Sequence, residues 1–202
     1  MELGEALTRY YAAHGLPADG GASASWFRVR LGRLTIPLPN PPARRRAVFF
    51  HDTNHVLAGY DTTFSRGEIE IAAFEIGAGC GRYAVAWGIN LPMMLIGGLL
   101  RPAAVFRAFV RGRHAGSVYR CRDERTTLER VSVDDLRTRF LLDRPPPAAA
   151  LGDMAAFAMW QLIMLLTIAA IITVIGGVLW WTLSTVLDLA ITSTAPREVF
   201  LR

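Results

Sequence analysis

His51, Asp52 and His55, in the run His51-Asp52-Thr53-Asn54-His55, are the residues of this chain best suited to chemistry. On a helix His51 and His55, four apart, share a face, and Asp52 falls within about 100° of both. Two imidazoles and a carboxylate on one face begin a zinc-type site, since these are the nitrogen and oxygen ligands that ion takes. The run is not the His-Glu-x-x-His of metalloproteases: Asp52 is one carbon shorter than Glu, so that motif's general-base geometry does not transfer. A fourth ligand must come from elsewhere. Glu68 stands 13 residues after His55, roughly 20 Å away on an unbroken helix. Gly59-Tyr60-Asp61-Thr62-Thr63 breaks that helix, and a helix-loop-helix would bring Glu68 back over the histidine face. Glu75, seven residues on, shares nearly the same face and is expected either to support a ligand from behind or to take the ligand role itself. Two blander readings compete. Ser65-Arg66-Gly67-Glu68 fits a capping box, and the histidines could be ordinary helix-surface residues.

The elements that must position these residues are mostly helical. Residues 2–14 read as a first helix ended by Gly15. Residues 26–39 alternate apolar and basic residues with period two and read as a strand, stopped by Asn40-Pro41-Pro42. A helix from about Ala43 to Ala58, closed by Gly59, carries the His-Asp run; another follows Ser65 as far as the Gly77–Gly81 cluster. Tyr83–Leu100 is free of charge but interrupted by Asn90-Leu91-Pro92 and Gly97-Gly98, and is expected as buried or membrane-surface helices rather than a span. A helix after Arg101-Pro102 and a short one over Asp134–Leu142 complete the set.

Hydrophobic residues make up 52% of the 202, with a mean hydropathy of +0.29 beside 19% charge. That excludes a disordered chain, a collagen-like repeat and a plain soluble globule. The surplus lies in Met154–Leu187, 34 residues without a charge, where about 20 suffice to span a bilayer. Trp160 and the Trp180-Trp181 pair are 20 residues apart, about 30 Å on a helix, and read as an aromatic belt. The expected architecture is mainly α: a helical domain over 1–144 with a short N-terminal β segment, a Pro-rich linker over 145–153, one transmembrane helix over 154–187 and a short polar tail over 188–202. A tight hairpin broken at Gly176-Gly177 is the alternative to one span. The opening Met-Glu-Leu-Gly-Glu carries acids and no apolar run, unlike a secretory signal. The large domain is therefore expected on the cytoplasmic side of a bacterial inner membrane.

All 22 basic residues are Arg, against 17 acids. Arg107, Arg111 and Arg113, within a strip beginning at Arg101, are expected to touch anionic lipid heads or an anionic substrate; a solvated face is the competing reading. Nothing resembles a nucleic-acid-binding motif, so no nucleic-acid partner is expected. Cys80 and Cys121 lack metal-ligand spacing and read as reduced thiols, Cys80 as a packing residue. His14 and His114 have no acidic or histidine neighbour at ligand spacing and read as structural.

FFHDTNHVLAGYDTTFSRGEIEIAAFE resembles the signature of the coenzyme Q (ubiquinone) biosynthesis protein 4 family, written His-Asp-x-x-His, eleven residues, Glu. The similarity extends through NLPMMLIGGLLRP, FRAFVRGRHAG and DDLRTRFLL, roughly residues 25–142. By that resemblance His51, Asp52, His55 and Glu68 are the metal ligands and zinc the ion. Twelve residues separate His55 from Glu68 here, one more than the family's pattern, and the C-terminal span lies outside the family core. The resemblance implies a mostly helical, membrane-associated metalloprotein acting on a polyprenylated benzoate, with lyase-type loss of the C1 carboxyl and hydroxylation there. Its implied partners are membrane lipid, a prenylated quinone precursor and other quinone-biosynthesis proteins. The main alternative is a non-catalytic, prenyl-lipid-binding scaffold for such enzymes. A lesser one, from the adjacent His51-Asp52 pair, is an HD-type metal-dependent phosphohydrolase.

Overall fold

Residues 69–78 are apolar all round except for Glu70 and Glu75, and a helix with no polar face has to be enclosed. The computed structural model, which describes residues 1–31 and 34–194, encloses it with the other helices of a mainly α domain. In chain order these are α1 (Leu3–Ala13), the strands β1 (Trp26–Leu31) and β2 (Leu34–Pro39), α2 (Pro42–Ala58), a π-helical turn (Phe64–Glu68) leading into α3 (Ile69–Ala78), α4 (Ala84–Leu100), α5 (Pro102–Arg113), a 3-10 turn (Val118–Arg120), α6 (Arg125–Glu129), α7 (Val133–Arg139) and α8 (Leu151–Thr194). The central helix is α3, with Ile69, Ile71, Phe74 and Ile76 all buried. It packs most intimately on α5, where a Cβ on Gly77 would stand 2.2 Å from the Phe109 carbonyl oxygen and one on Gly112 2.0 Å from that of Phe74. Two missing side chains let the backbones touch.

Three elements differ from the sequence expectation. The single strand over 26–39 is an antiparallel pair, in register from Trp26↔Pro39 to Leu31↔Leu34, with residues 32–33 outside the described residues. Folding back gives each strand's N–H and C=O groups partners that one isolated strand would lack. The segment after Tyr83 is one helix, α4, despite Pro92. The proline removes a single bond, to the carbonyl of residue 88, and Gly88 is exposed, so water can serve that carbonyl instead.

The third difference concerns α8, whose start falls before the expected linker boundary at 153. Its first turns, Leu151–Gln161, belong to the compact unit Met1–Gln161. Buried Asp153 accepts hydrogen bonds from Arg113 Nε at 2.7 Å and from the Ala150 N–H at 2.9 Å, which also caps the helix start. Phe157 meets Phe106 and Phe109 edge-on, and Trp160 packs on Trp87 with centroids 5.2 Å apart. Trp160 is thus a domain residue, whereas Trp180 and Trp181 are exposed. From Leu162 the helix continues as a separate unit, helical as far as Thr194; the rest of the expected tail, 195–202, lies outside the described residues.

Leu151–Leu187 is long and apolar enough to cross a membrane, with a mean hydropathy of 2.7 in its most apolar window. Only 6% of that window is buried, which separates it from the core helix of a soluble protein. The full chain is therefore expected to stay in the membrane pellet through a carbonate wash, because nothing in water replaces about 20 residues in hydrocarbon. A chain ending at Gln161, which keeps the contacts of Asp153, Phe157 and Trp160, is expected to be stripped by the same wash. Full-length protein recovered without detergent would overturn the assignment of a span.

Candidate metal centre

The middle of α2 buries four polar residues in succession, Asp52, Thr53, Asn54 and His55. Buried polar groups need partners, and three of the four have them. Thr53 Oγ1 donates to the Phe49 carbonyl at 2.7 Å, Asn54 Nδ2 to Glu75 Oε1 at 2.9 Å, and His55 Nδ1 lies 3.0 Å from the Tyr60 carbonyl. That last contact depends on Gly59, which ends α2 in the left-handed conformation (φ 74°) and turns the Tyr60 carbonyl back towards the ring. Asp52 is the exception: its Oδ2 has no hydrogen-bond partner.

The loop after Gly59 is pinned by Asp61, whose Oδ1 accepts from the N–H groups of Thr63 at 2.7 Å and Gly67 at 3.2 Å. The next turn is π-helical, with the Glu68 N–H bonded to the Thr63 carbonyl at 3.1 Å. An i→i+5 turn holds one residue more than an α turn. The turn ends with Glu68 over the histidines, Oε2 3.7 Å from His51 Nε2 and Oε1 3.7 Å from His55 Nε2. No side-chain capping bond is made at this helix start, so the capping-box reading of Glu68 fails.

His51, His55 and Glu68 form a group that could hold a metal ion, each offering one ligand atom, all within 4.8 Å of one another. The two imidazole Nε2 atoms are 3.2 Å apart, close to the ~3.3 Å edge of a tetrahedron built on zinc–nitrogen bonds of ~2.0–2.1 Å. Both Nδ1 atoms face acceptors, Glu75 Oε1 at 3.0 Å for His51 and the Tyr60 carbonyl for His55. These contacts fix both rings with their Nε2 atoms facing the same space, where either a proton carried by His51 or a bound cation can sit between them. Asp52 stands outside this three-residue group. Its orphaned Oδ2 borders space that only a glycine leaves open, since a Cβ at Gly20 would fall 2.5 Å from it. The residues therefore fit an ion through three converged ligand atoms, and Asp52 is not one of that group.

Glu75 reaches His51 from behind, at Nδ1, and so is a supporting partner rather than a ligand. Fully buried, it also accepts from Asn54, from Asn90 Nδ2 and from Tyr119 Oη at 3.0 Å. Asn54 lies inside the His-Asp run itself, where helical spacing could have flagged it; Asn90 and Tyr119 carry no local sequence signal. Tyr10 of α1 stacks on the His55 ring at 5.7 Å, equally invisible in sequence.

Charge in the pocket is arranged for a cation. Burial works against a charged His51, but Glu75 and Glu68 overcome it and raise its pKa well above the ordinary value. Burial and the neighbouring His51 charge lower that of His55. Burial pushes Asp52 up to about 6, partly offset by His51, by a hydrogen bond from the Tyr11 hydroxyl and by Arg44, and reinforced by Glu68. Burial would also raise Glu68 and Glu75, yet the histidines, and for Glu75 its amide donors, bring both below the usual range.

No family model, curated protein or solved structure matches the chain. The remaining candidate residues are placed by geometry alone. Arg113 is held by Asp153, and Arg111 donates to the Ala58 carbonyl at 2.7 Å while lying over the Tyr60 ring. Arg107 makes no ion pair among the described residues. Arg107 and Arg111 line an open cavity of about 320 Å³ with Tyr60, Arg66, Glu70 and Arg101. His14 bonds the Tyr10 carbonyl, His114 lies 3.4 Å from Asp153, and Cys80 is buried as packing.

Elemental analysis of protein purified without chelator is expected to find about one divalent metal ion per chain. His55→Ala should lose it outright, since an incomplete shell does not hold a structural ion. Glu75→Gln should weaken binding by about 10–100-fold, the usual effect of removing a group that orients a ligand. Glu68→Gln should weaken it further than Glu75→Gln, and Asp52→Asn tests whether the orphaned oxygen completes the shell. Metal-free wild type would overturn the site.

Proposed function

We propose that the chain is a single-pass membrane metalloprotein acting on a polyprenylated benzoate precursor of a quinone. The convergence of His51 Nε2, His55 Nε2 and a Glu68 oxygen carries the metal part of this reading. The likeness of the His-Asp-x-x-His…Glu run to the coenzyme Q biosynthesis protein 4 family supplies the substrate class. Zinc is an ion that such a mixed imidazole and carboxylate set takes, held by His51, His55 and Glu68, with Asp52 the fourth ligand that the family resemblance implies. When bound it would supply Lewis acidity towards a carboxylate or phenolate oxygen.

The chain's own groups do the positioning. Glu75 partners the His51 Nδ1 and the Tyr60 carbonyl that of His55, which fixes both rings with their Nε2 atoms turned towards Glu68. Arg107 and Arg111 offer positive charge to an anionic group at the rim of the neighbouring cavity. Replacing the C1 carboxyl by hydroxyl releases CO2 and is a two-electron oxidation, and neither these side chains nor zinc can accept electrons. The oxidant therefore comes from outside the chain. With the apolar helix as anchor, we place the large domain on the cytoplasmic side of a bacterial inner membrane, where a prenylated substrate and other quinone enzymes would be at hand.

One observation favours the scaffold reading. The cavities beside Arg111 are lined by none of His51, His55 and Glu68, as expected if the ion only braces the fold. The phosphohydrolase reading needs further His and Asp ligands, and His14 and His114 are occupied elsewhere.

Quinone intermediates in a deletion strain separate enzyme from scaffold. The proposal expects a carboxylated prenyl precursor to accumulate, in the deletion and equally when the Glu68→Gln chain is put back. General loss of quinone without that precursor would support the scaffold. An unchanged quinone pool would remove both.

A further inference from the structure

The helix α4 has two apolar sides, and only one is covered. Its inner side carries Ala86, Asn90, Met94 and Gly97 into the core. Its outer side, at successive helical turns, carries Ile89, Pro92, Ile96, Leu99 and Leu100. Leu99 is 78% exposed and Leu100 59%, and Ile89 and Ile96 are exposed as well. No charged residue interrupts Ala84–Leu100. An apolar stripe running the length of a 17-residue helix is far more than the scattered exposed side chains of an ordinary surface.

The course of α8 says what covers the stripe. Gln161, the last residue of the compact unit, lies with its Nε2 3.5 Å from the Met94 carbonyl and where a Gly98 Cβ would be. Trp160, one residue earlier, packs on Trp87. Two adjacent residues of α8 thus reach positions seven to eleven apart on α4, so α8 crosses α4 rather than running along it. The chain leaves the domain at α4 and continues directly into its long exposed apolar stretch. The point where the chain exits the domain towards its candidate span is therefore at α4. At about 25 Å, α4 is too short to span. Arg82 stands just before it and Arg107 follows it, while Arg101 between them is paired with Glu70; cations beside an apolar face suit the anionic head-group region.

We propose that α4 is an interfacial helix, lying in the head-group boundary of the membrane with its Ile89–Leu100 stripe against the acyl chains. This rests on the reading that α8 spans the membrane. The occupant of the stripe is lipid, not a second copy of the chain.

The test uses the full chain in lipid nanodiscs, with Cys121→Ser removing the partly exposed thiol and buried Cys80 left in place. A polarity-sensitive fluorophore is attached at Leu99→Cys, at Val174→Cys in the long helix, and at Thr126→Cys on polar α6. Lipids brominated near the glycerol end of the acyl chain should quench the Leu99→Cys label by about twofold or more, because an interfacial helix buries its apolar face only ~5–10 Å deep. Deeply brominated lipids should quench Val174→Cys instead, and neither should affect Thr126→Cys. Quenching at Val174→Cys with none at Leu99→Cys would overturn the interfacial helix and leave the span standing. A Leu99→Cys label shielded from water yet insensitive to both lipids would do the same, in favour of a protein partner. No quenching at either position would remove the span and this proposal together.

Discussion

The carboxylate of Glu75 sits fully buried on a helix that is otherwise apolar inwards, and an ionised carboxylate there is tolerable only if it is densely hydrogen-bonded. Its donors come from three other parts of the chain: His51 and Asn54 of α2, Asn90 of α4, and Tyr119 of the 3-10 turn. Each has to be in place for the charge to be satisfied, so one group fixes the mutual placement of α2, α3, α4 and the following turn. The same bond that satisfies Glu75 also holds the His51 ring with Nε2 outward. The core and the metal centre are therefore not separable designs. A change that loosens Glu75 would disturb both packing and ligand direction.

The ligands were easier to read than their support. His51 and His55 announce themselves by helical spacing, and the glycine that ends their helix is visible as a stop. Glu68 could be placed only as a possibility, because the path from His55 contains a loop whose closure depends on Asp61 bonding back to Gly67, and a π-helical turn. Asn90 and Tyr119 reach Glu75 across 15 and 44 residues of chain, a distance over which no local pattern carries information. The capping-box reading of Glu68 was locally sound and lost to a tertiary contact.

The β segment and the long helix show the same limit. Period-two alternation predicts extended backbone over 26–39 but says nothing of where the chain doubles back. A run without charge predicts an apolar helix beyond Met154, but not that its first turns would be taken by the domain. Asp153, which looked like the charged boundary of the run, is buried against Arg113 instead. Pro92 had the opposite effect, suggesting a break in α4 where none occurs.

Ile89 and Asn90 are consecutive, yet on a helix they point about 100° apart. Ile89 belongs to the exposed stripe, while Asn90 holds the carboxylate that orients His51. If the stripe lies in lipid, as proposed above, one helix, ~10–12 Å across with its side chains, separates the acyl chains from the group that supports the metal centre. A substrate with a long prenyl tail is strongly bound to the bilayer, at about 0.8 kcal/mol per buried CH₂, and pulling it fully into water would cost more than any small polar site could return. For the prenylated substrate proposed above, a centre one helix away from the hydrocarbon would avoid that extraction, because the tail could stay in lipid. On this view α8 does more than tether the domain. Its first turns, through Trp160 on Trp87 and Gln161 on Met94, also belong to the packing of the helix whose Asn90 holds Glu75.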